Sequence, residues 1–248
     1  MRAFRGRQVG PPPIRKGFPL GGASAVANRR DLGSSFLARC PPACVTTRAP
    51  TATSFNTRND VAMVAGESSI RLRPIEFADW ARIHEWASTE DACRYQPWGP
   101  NTVQDTQRFV TDAIAAWDDD PQDRYVWAAI TDQVGVVGLG ELQIRSRRWR
   151  QGEIGYAVHT RHWGTGIATA IGVQLVQFAF DRLGLDRLAA TCDPRNAASA
   201  AVLRRLGMTH EGRLRETIEL RDGWRDSEIF SILASDRHQA LPRDVPLS

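Results

Sequence analysis

The chain predicts an α+β fold, one domain with a central mixed sheet of about seven strands flanked by helices. Three observations carry this. Alternating and helical apolar spacings follow one another as strand, helix, helix, three strands, helix, strand, helix, two strands. A short strand at residues 153–159 runs straight into a glycine loop and then an amphipathic helix. Turn signals punctuate the strand runs at Asp132-Gln133 and Asp222-Gly223.

Residues 70–74, IRLRP, alternate and form the first strand. Asp79 starts a helix with Trp80, Ile83 and Ala87 on one face. His84 on that helix reads as a surface or half-buried histidine rather than a ligand. Residues 94–100 form a loop rich in proline, glycine and aromatics, where Tyr95 and Trp98 either wall a cleft or simply pack. Thr102-x-x-Asp105 opens a second helix that runs to Trp117 with Phe109, Val110, Ala113 and Ile114 inward. Asp118-Asp119-Asp120-Pro121 ends it, either as a solvated turn or as a run that attracts a cationic acceptor. Strands at 125–131 and 134–145 follow, and Gly138 and Gly140 in the second mark a bulge or a close backbone approach. RSRRWR, from Arg145 to Arg150, is a basic hairpin tip, solvated or poised for RNA.

After the strand at 153–159, apolar residues recur at Ile167, Ile171, Leu175, Phe178 and Ala179, and Gly184 closes that helix. A strand at 187–192, a helix from Asn196 to Gly207, and a hairpin of 208–220 with 226–234 complete the domain.

The stretch EIGYAVHTRHWGTGIAT, from Glu153 to Thr169, organises the rest. Gly164 and Gly166 let the backbone approach a ligand closely. The helix start behind them presents unpaired N–H groups and the positive end of its dipole. Together they form an anion site, and phosphate is the commonest occupant of one. A dinucleotide loop is disfavoured, because Thr169 stands where its third glycine or alanine belongs and three residues separate the strand from the first glycine. A Walker-type loop is excluded, because no Gly-Lys-Ser/Thr occurs.

Arg161-His162-Trp163-Gly164-Thr165-Gly166 resembles the R/Q-x-x-G-x-G/A loop of the GNAT N-acetyltransferase superfamily. Asp193-Pro194-Arg195-Asn196-Ala197-Ala198-Ser199, followed by Leu203-Arg204-Arg205-Leu206-Gly207-Met208, resembles that superfamily's second signature. The resemblance covers residues 70–234 and is of the RimJ/RimL type.

It implies acetyl-CoA as co-substrate, without a metal. The backbone from Arg161, His162, Trp163, Gly164, Thr165 and Gly166 into Ile167, Ala168 and Thr169 then holds the pyrophosphate. A backbone N–H near Val158 meets the oxyanion. Asn196 either bonds the pantetheine arm or caps its helix, or does both. Ser199 is the candidate proton donor to the leaving thiolate, against a purely helical role. Leu203 and Leu206 occupy the zone where a tyrosine would otherwise act. Glu153 is the first candidate for binding or deprotonating the amine, with Glu141, Glu216 and Glu219 behind it.

The expected activity is acetyl transfer to a primary amine, the N-terminal α-amine of a protein. Acetylation of a polyamine, amino acid or aminoglycoside and a non-catalytic acyl-CoA-binding domain are the alternatives. The partners expected are acetyl-CoA and that amine, with neither membrane nor nucleic acid, for a monomer or homodimer in the cytoplasm.

Charge divides the chain. Residues 1–66 carry ten Lys/Arg against Asp31 and Asp60, so +8 of the overall +4 lies there and the remaining residues hold 4 − 8 = −4. The pI of 9.2 belongs to this extension and says little about nucleic-acid binding by the domain. With Pro11-Pro12-Pro13, Gly21-Gly22 and no apolar period, residues 1–66 are expected to be disordered. Either Met63 is the true start or the segment is a transit peptide. The domain is expected at 67–236, with a tail at 237–248. Cys40 and Cys44 lack histidine neighbours, and Cys93 and Cys192 read as reduced packing residues. The longest apolar stretch, 167–180, contains Gln174 and Gln177 and reads as a buried helix.

Overall fold

The computed structural model describes residues 70–236. The expectations for 1–66, Met63, Cys40, Cys44 and 237–248 lie outside the described residues.

Seven strands form one sheet in the order β1-β2-β3-β4-β5-β7-β6. They are β1 Arg71–Pro74, β2 Arg124–Thr131, β3 Gly135–Ser146, β4 Gln151–Val158, β5 Arg187–Cys192, β6 Thr209–Leu220 and β7 Gly223–Leu233. Between β1 and β2 lie α1 Trp80–Ala87, α2 Glu90–Cys93 and α3 Val103–Ala115. Helix α4, Ile167–Gln177, follows β4, and α5, Ala197–Arg205, follows β5. The sheet is mixed as expected: every pairing is antiparallel except β4 with β5.

The two faces of the sheet follow from strand alternation. Ile154, Tyr156 and Val158 of β4 share a face with α4 and α5, where Ile171, Leu175, Leu203 and Leu206 pack against Leu188 and Phe230. The other face carries Val126, Ala128 and Leu139 against Ile83, Trp86, Phe109 and Val110 of the first helices. Gly138 serves close approach, because a Cβ there would lie 2.6 Å from the Ala157 carbonyl and 3.2 Å from Ile171. The β2–β3 register also shifts beside it, so both readings of that glycine hold.

Most local signals act as their chemistry requires. Thr102 caps α3 with a reciprocal bond to Asp105. Asn196 caps α5 by accepting from the Ser199 amide at 3.0 Å. His84 bonds Thr106 at 3.0 Å, and Trp98 packs edge-on against Trp86. Gln174 interrupts the apolar stretch because its amide donates to the Ile70 carbonyl at 2.9 Å, tying α4 to the start of β1.

Three expectations need correction. α2 was unforeseen, because a four-residue helix shows no period. A π-helical turn, Phe178–Arg182, extends α4 before Gly184. The last hairpin turns at Arg221-Asp222 rather than Asp222-Gly223, since Leu220 pairs with Gly223. Gly223 instead opens β7 with φ +114°.

Candidate active site

The parallel seam between β4 and β5 is short. It pairs Gln151 with Arg187, Gly152 with Leu188 and Glu153 with Ala189, and then stops. Beyond Glu153 the strands part. A cleft occupies the gap, lined on the strands by Ile154, Gly155, Tyr156, Ala190, Thr191 and Cys192.

The amide of His159 bonds the Val137 carbonyl, which turns the amides of Val158 and Tyr156 the other way, toward the gap. The Val158 carbonyl on that side accepts from the Trp163 indole at 2.9 Å. The loop is thereby fastened to the strand that it leaves.

The loop itself is a short 3₁₀ turn, Thr160–His162, stabilised where the Arg161 amide donates to His159 Nδ1. Gly164 and Gly166 both adopt left-handed φ, +78° and +87°. A Cβ at either would meet no protein atom within 4 Å, so conformation and ligand space, not packing, call for glycine. Gly166 is the N-cap of α4 and supplies no side-chain cap. The first amides of α4, at Ile167, Ala168 and Thr169, therefore lack the side-chain partner that most helices provide. The Thr169 hydroxyl is also buried without a hydrogen-bond partner. An orphaned hydroxyl, an uncapped helix start and two open glycines fit a phosphate-bearing group such as that of CoA.

Ser199 lines the cleft, and its hydroxyl lies 3.0 Å from the Tyr156 hydroxyl. Burial pushes the Tyr156 phenol well above its ordinary pKa, so it stays a proton donor. The sequence reading leaves the thiolate to Ser199 alone, because Leu203 and Leu206 stand where a tyrosine was sought. The structure places a tyrosine of β4, Tyr156, beside that serine. The only sequence signal for Tyr156 was its place in the alternation Ile154, Tyr156, Val158. Asn196 also lines the cleft; its carbonyl oxygen is spent on the cap, which leaves its NH₂ end for a ligand.

Cys192 lines the cleft too, but burial holds its thiol at about 11. A thiol this weakly acidic is a poor nucleophile at neutral pH. The arrangement favours direct transfer over an acyl-cysteine route.

The carboxylates divide. Glu153 is largely buried on the opposite sheet face from Tyr156 and pairs with Arg145 at 2.7 Å. Burial raises its pKa, with Arg145 and Thr191 opposing. It is not among the residues that line the cleft. Glu141 is buried against Arg124 at 2.7 Å. Glu216 and Glu219 are exposed on β6, away from the gap. Asp193 does line the cleft, and its side chain is fully buried. The Arg195 guanidinium and amide hold its pKa below the usual range against the cost of burial.

The remaining wall comes from residues that the sequence did not single out. Gln96 joins Tyr95 from the loop after α2, and Arg225 comes from β7. Arg221 reaches the Gly99 carbonyl and Glu90, while Arg195 bonds Asp222 at 2.9 Å.

The basic tip is largely neutralised: Arg145 pairs with Glu153, Arg147 with Asp123 and Arg150 with Asp186. Among the described residues no group of His, Cys, Asp and Glu is placed to hold a metal, and no helix is long and apolar enough to cross a membrane.

Comparison with known proteins agrees with this geometry. Residues 69–209, more than half of the chain, match the acetyltransferase (GNAT) domain family. The uncharacterised N-acetyltransferase YnaD of Bacillus subtilis is 25% identical over 172 residues, covering 66% of this chain and 94% of that protein. The spermidine N(1)-acetyltransferase of Escherichia coli is 24% identical over 177 residues, covering 70% of this chain and 89% of its own length. The structure of Mycobacterium smegmatis RimJ in complex with CoA-disulfide aligns with TM-score 0.63 at 24% identity, covering 70% of this chain and 86% of that one. The chain belongs to the GNAT family of acetyl-CoA-dependent N-acetyltransferases.

Proposed function

We propose that the acceptor is an α-amine, the N-terminus of a protein or peptide. The observation that carries this is the state of the carboxylate in the cleft. Among the described residues lining it, Asp193 is the acid, and Arg195 holds it ionised and spent. It is a poor sink for a proton. The chemistry therefore favours an amine that is already close to neutral. A peptide α-amine of pKa about 7.7 costs about 1 kcal/mol to deprotonate at pH 7, whereas a lysine at about 10.4 costs about 4.6 kcal/mol. The RimJ/RimL-type resemblance points the same way.

In this reading acetyl-CoA supplies the acetyl group as an activated thioester. Backbone from Arg161 to Gly166 and the start of α4, with the Thr169 hydroxyl, hold its phosphates. Asn196 bonds the arm that carries the thioester. The Val158 amide stabilises negative charge at the reacting carbonyl. Ser199 and Tyr156 share a hydrogen bond, and one of them delivers a proton to the departing sulfur. Glu153, on the far face and paired with Arg145, meets the cleft lining through the Thr191 hydroxyl, which donates to it at 3.5 Å, and takes up the amine's proton by that relay.

The decisive experiment is thiol release from acetyl-CoA across N-terminal peptides, polyamines, lysine and aminoglycosides, with the site of labelling mapped. Label on α-amines is expected. Label on lysine side chains, polyamines or aminoglycosides with none on α-amines overturns the assignment.

A further inference from the structure

The cleft contains a cation whose hydrogen-bonding capacity the fold uses only in part. Arg225 lies on β7 past the end of β5, whose last pair is Cys192 with Glu228. Its side chain is 7% exposed and lines the same cleft as Tyr156 and Ser199. A guanidinium has five N–H donors and no acceptor. Nη1 donates to the Asp226 carbonyl and to Ser227 Oγ, both at 3.1 Å. Nε is buried with no partner. Its nearest anion, Asp193 Oδ2, is 3.7 Å away, beyond a hydrogen bond.

Asp193 is held by Arg195 instead, in three bonds. Oδ1 accepts from the Arg195 amide and Nε, and Oδ2 accepts from Arg195 Nη2. A purely structural ion pair would have closed on Asp193. Instead Arg195 takes that carboxylate, leaning away toward Asp222 and Tyr95, and Arg225 is left in the wall. Burying a guanidinium with unanswered donors is costly unless a ligand supplies the acceptor. Burial accordingly weakens its hold on its proton.

Resting on the α-amine reading above, we propose that Arg225 is the acceptor-selecting residue, and that it binds an oxygen carried next to the attacking amine. The matching chemistry is an α-aminoacyl group, whose oxygen is a peptide carbonyl or a free carboxylate. Polyamines and simple alkylamines are excluded by the same contact. They offer only N–H donors and further positive charge, which leave the Arg225 donors unanswered and set cation against cation.

The test compares matched acceptors on the full chain, with rates expressed per neutral amine so that amine basicity cancels. These are alanyl peptide, free alanine, isopropylamine and spermidine. The wild-type protein is expected to favour at least one alanyl acceptor over isopropylamine and spermidine by 10-fold or more in kcat/KM. The peptide and free-alanine arms identify whether carbonyl or carboxylate is read. Arg225→Lys keeps a charge beside Asp193 and should raise KM for the alanyl acceptor about 10-fold; Arg225→Met should erase the preference. Calorimetric affinity for acetyl-CoA, measured in each variant, establishes that the fold and cofactor half are intact. Equal wild-type efficiency toward alanyl acceptors and alkylamines refutes the proposal even if neither variant folds. So does an undiminished preference in a folded Arg225→Met variant. A wild-type protein that acetylates spermidine and no α-amine refutes the function assignment itself, a separate result.

Discussion

The proposed cofactor side comes from one continuous stretch, Val158 to Thr169, whereas the proposed acceptor side, in the cleft, draws Tyr95 and Gln96 from an early loop, Asp193 from the end of β5 and Arg225 from β7. The first side works through backbone: two left-handed glycines and an uncapped helix start. The second works through side chains gathered from more than 120 residues of sequence. A backbone site needs a conformation, and a conformation is encoded locally. A side-chain site needs a meeting point, which only the fold provides. The two sides should therefore respond differently to substitution.

The largest effect is expected at the loop. Gly166→Val forces a β-branched residue to φ +87° and fills the space open to the ligand. Acetyl-CoA affinity should fall 100-fold or more by calorimetry, with the fold retained. Unchanged affinity in a folded variant would remove the loop from the cofactor site.

Next come the two hydroxyls. Tyr156→Phe and Ser199→Ala should each reduce turnover about 10- to 100-fold, at the low end for a lost proton donor, while acetyl-CoA affinity stays near normal. Because they share one hydrogen bond, the double variant should cost less than the product of the single losses. Full multiplicativity in single-turnover kinetics would show that they act independently.

Glu153→Gln should have a smaller effect, about 10-fold in rate. The buried carboxylate has a raised pKa, so its basic form grows as pH climbs through that value. A rate dependent on it rises over the same span, and the variant should flatten that limb. Stability carries the opposite sign. The folded protein holds this proton more tightly than the unfolded chain, so stability drops as pH rises from about 4.3 through the raised pKa. Glu153→Gln should remove that decline in thermal melts; an identical pH–rate profile would exclude Glu153 from the proton path.

The smallest effect is expected far from both sides. A chain beginning at Met63 should keep its melting temperature and turnover, since the sequence before it has no apolar period from which to build a core. A large loss on truncation would show that the first 62 residues pack on the domain.

The same contrast explains what could be read from the sequence. Strand alternation, the Thr102 capping box and the glycine loop are short-range signals, and each produced the element it announced. Asn196 was legible twice over, as cap and as cleft residue. Tyr156 was hidden because its partner Ser199 is 43 residues away and on another element. Arg225 resembled any arginine of a hairpin, since its meaning depends on Asp193 being claimed by Arg195. Glu153 was noticed for its place on a central strand, but alternation put it on the face away from the hydroxyls. The hairpin turn slipped by one residue because Gly223 suits either a turn or a strand opening.

The three-pair seam between β4 and β5 has a further consequence. It is the only parallel junction in the described sheet, and it joins two antiparallel blocks, β1 to β4 and β5 to β6. Past it, the amides of Tyr156 and Val158 face a gap instead of a neighbouring strand. Those two protons should exchange with deuterated solvent far faster than the alternate amides of the same strand, which are locked to β3. A bound thioester lying in the gap would act as a missing strand. Deuterium uptake along β4 would then show a two-residue rhythm in the empty protein that fades as the cleft fills.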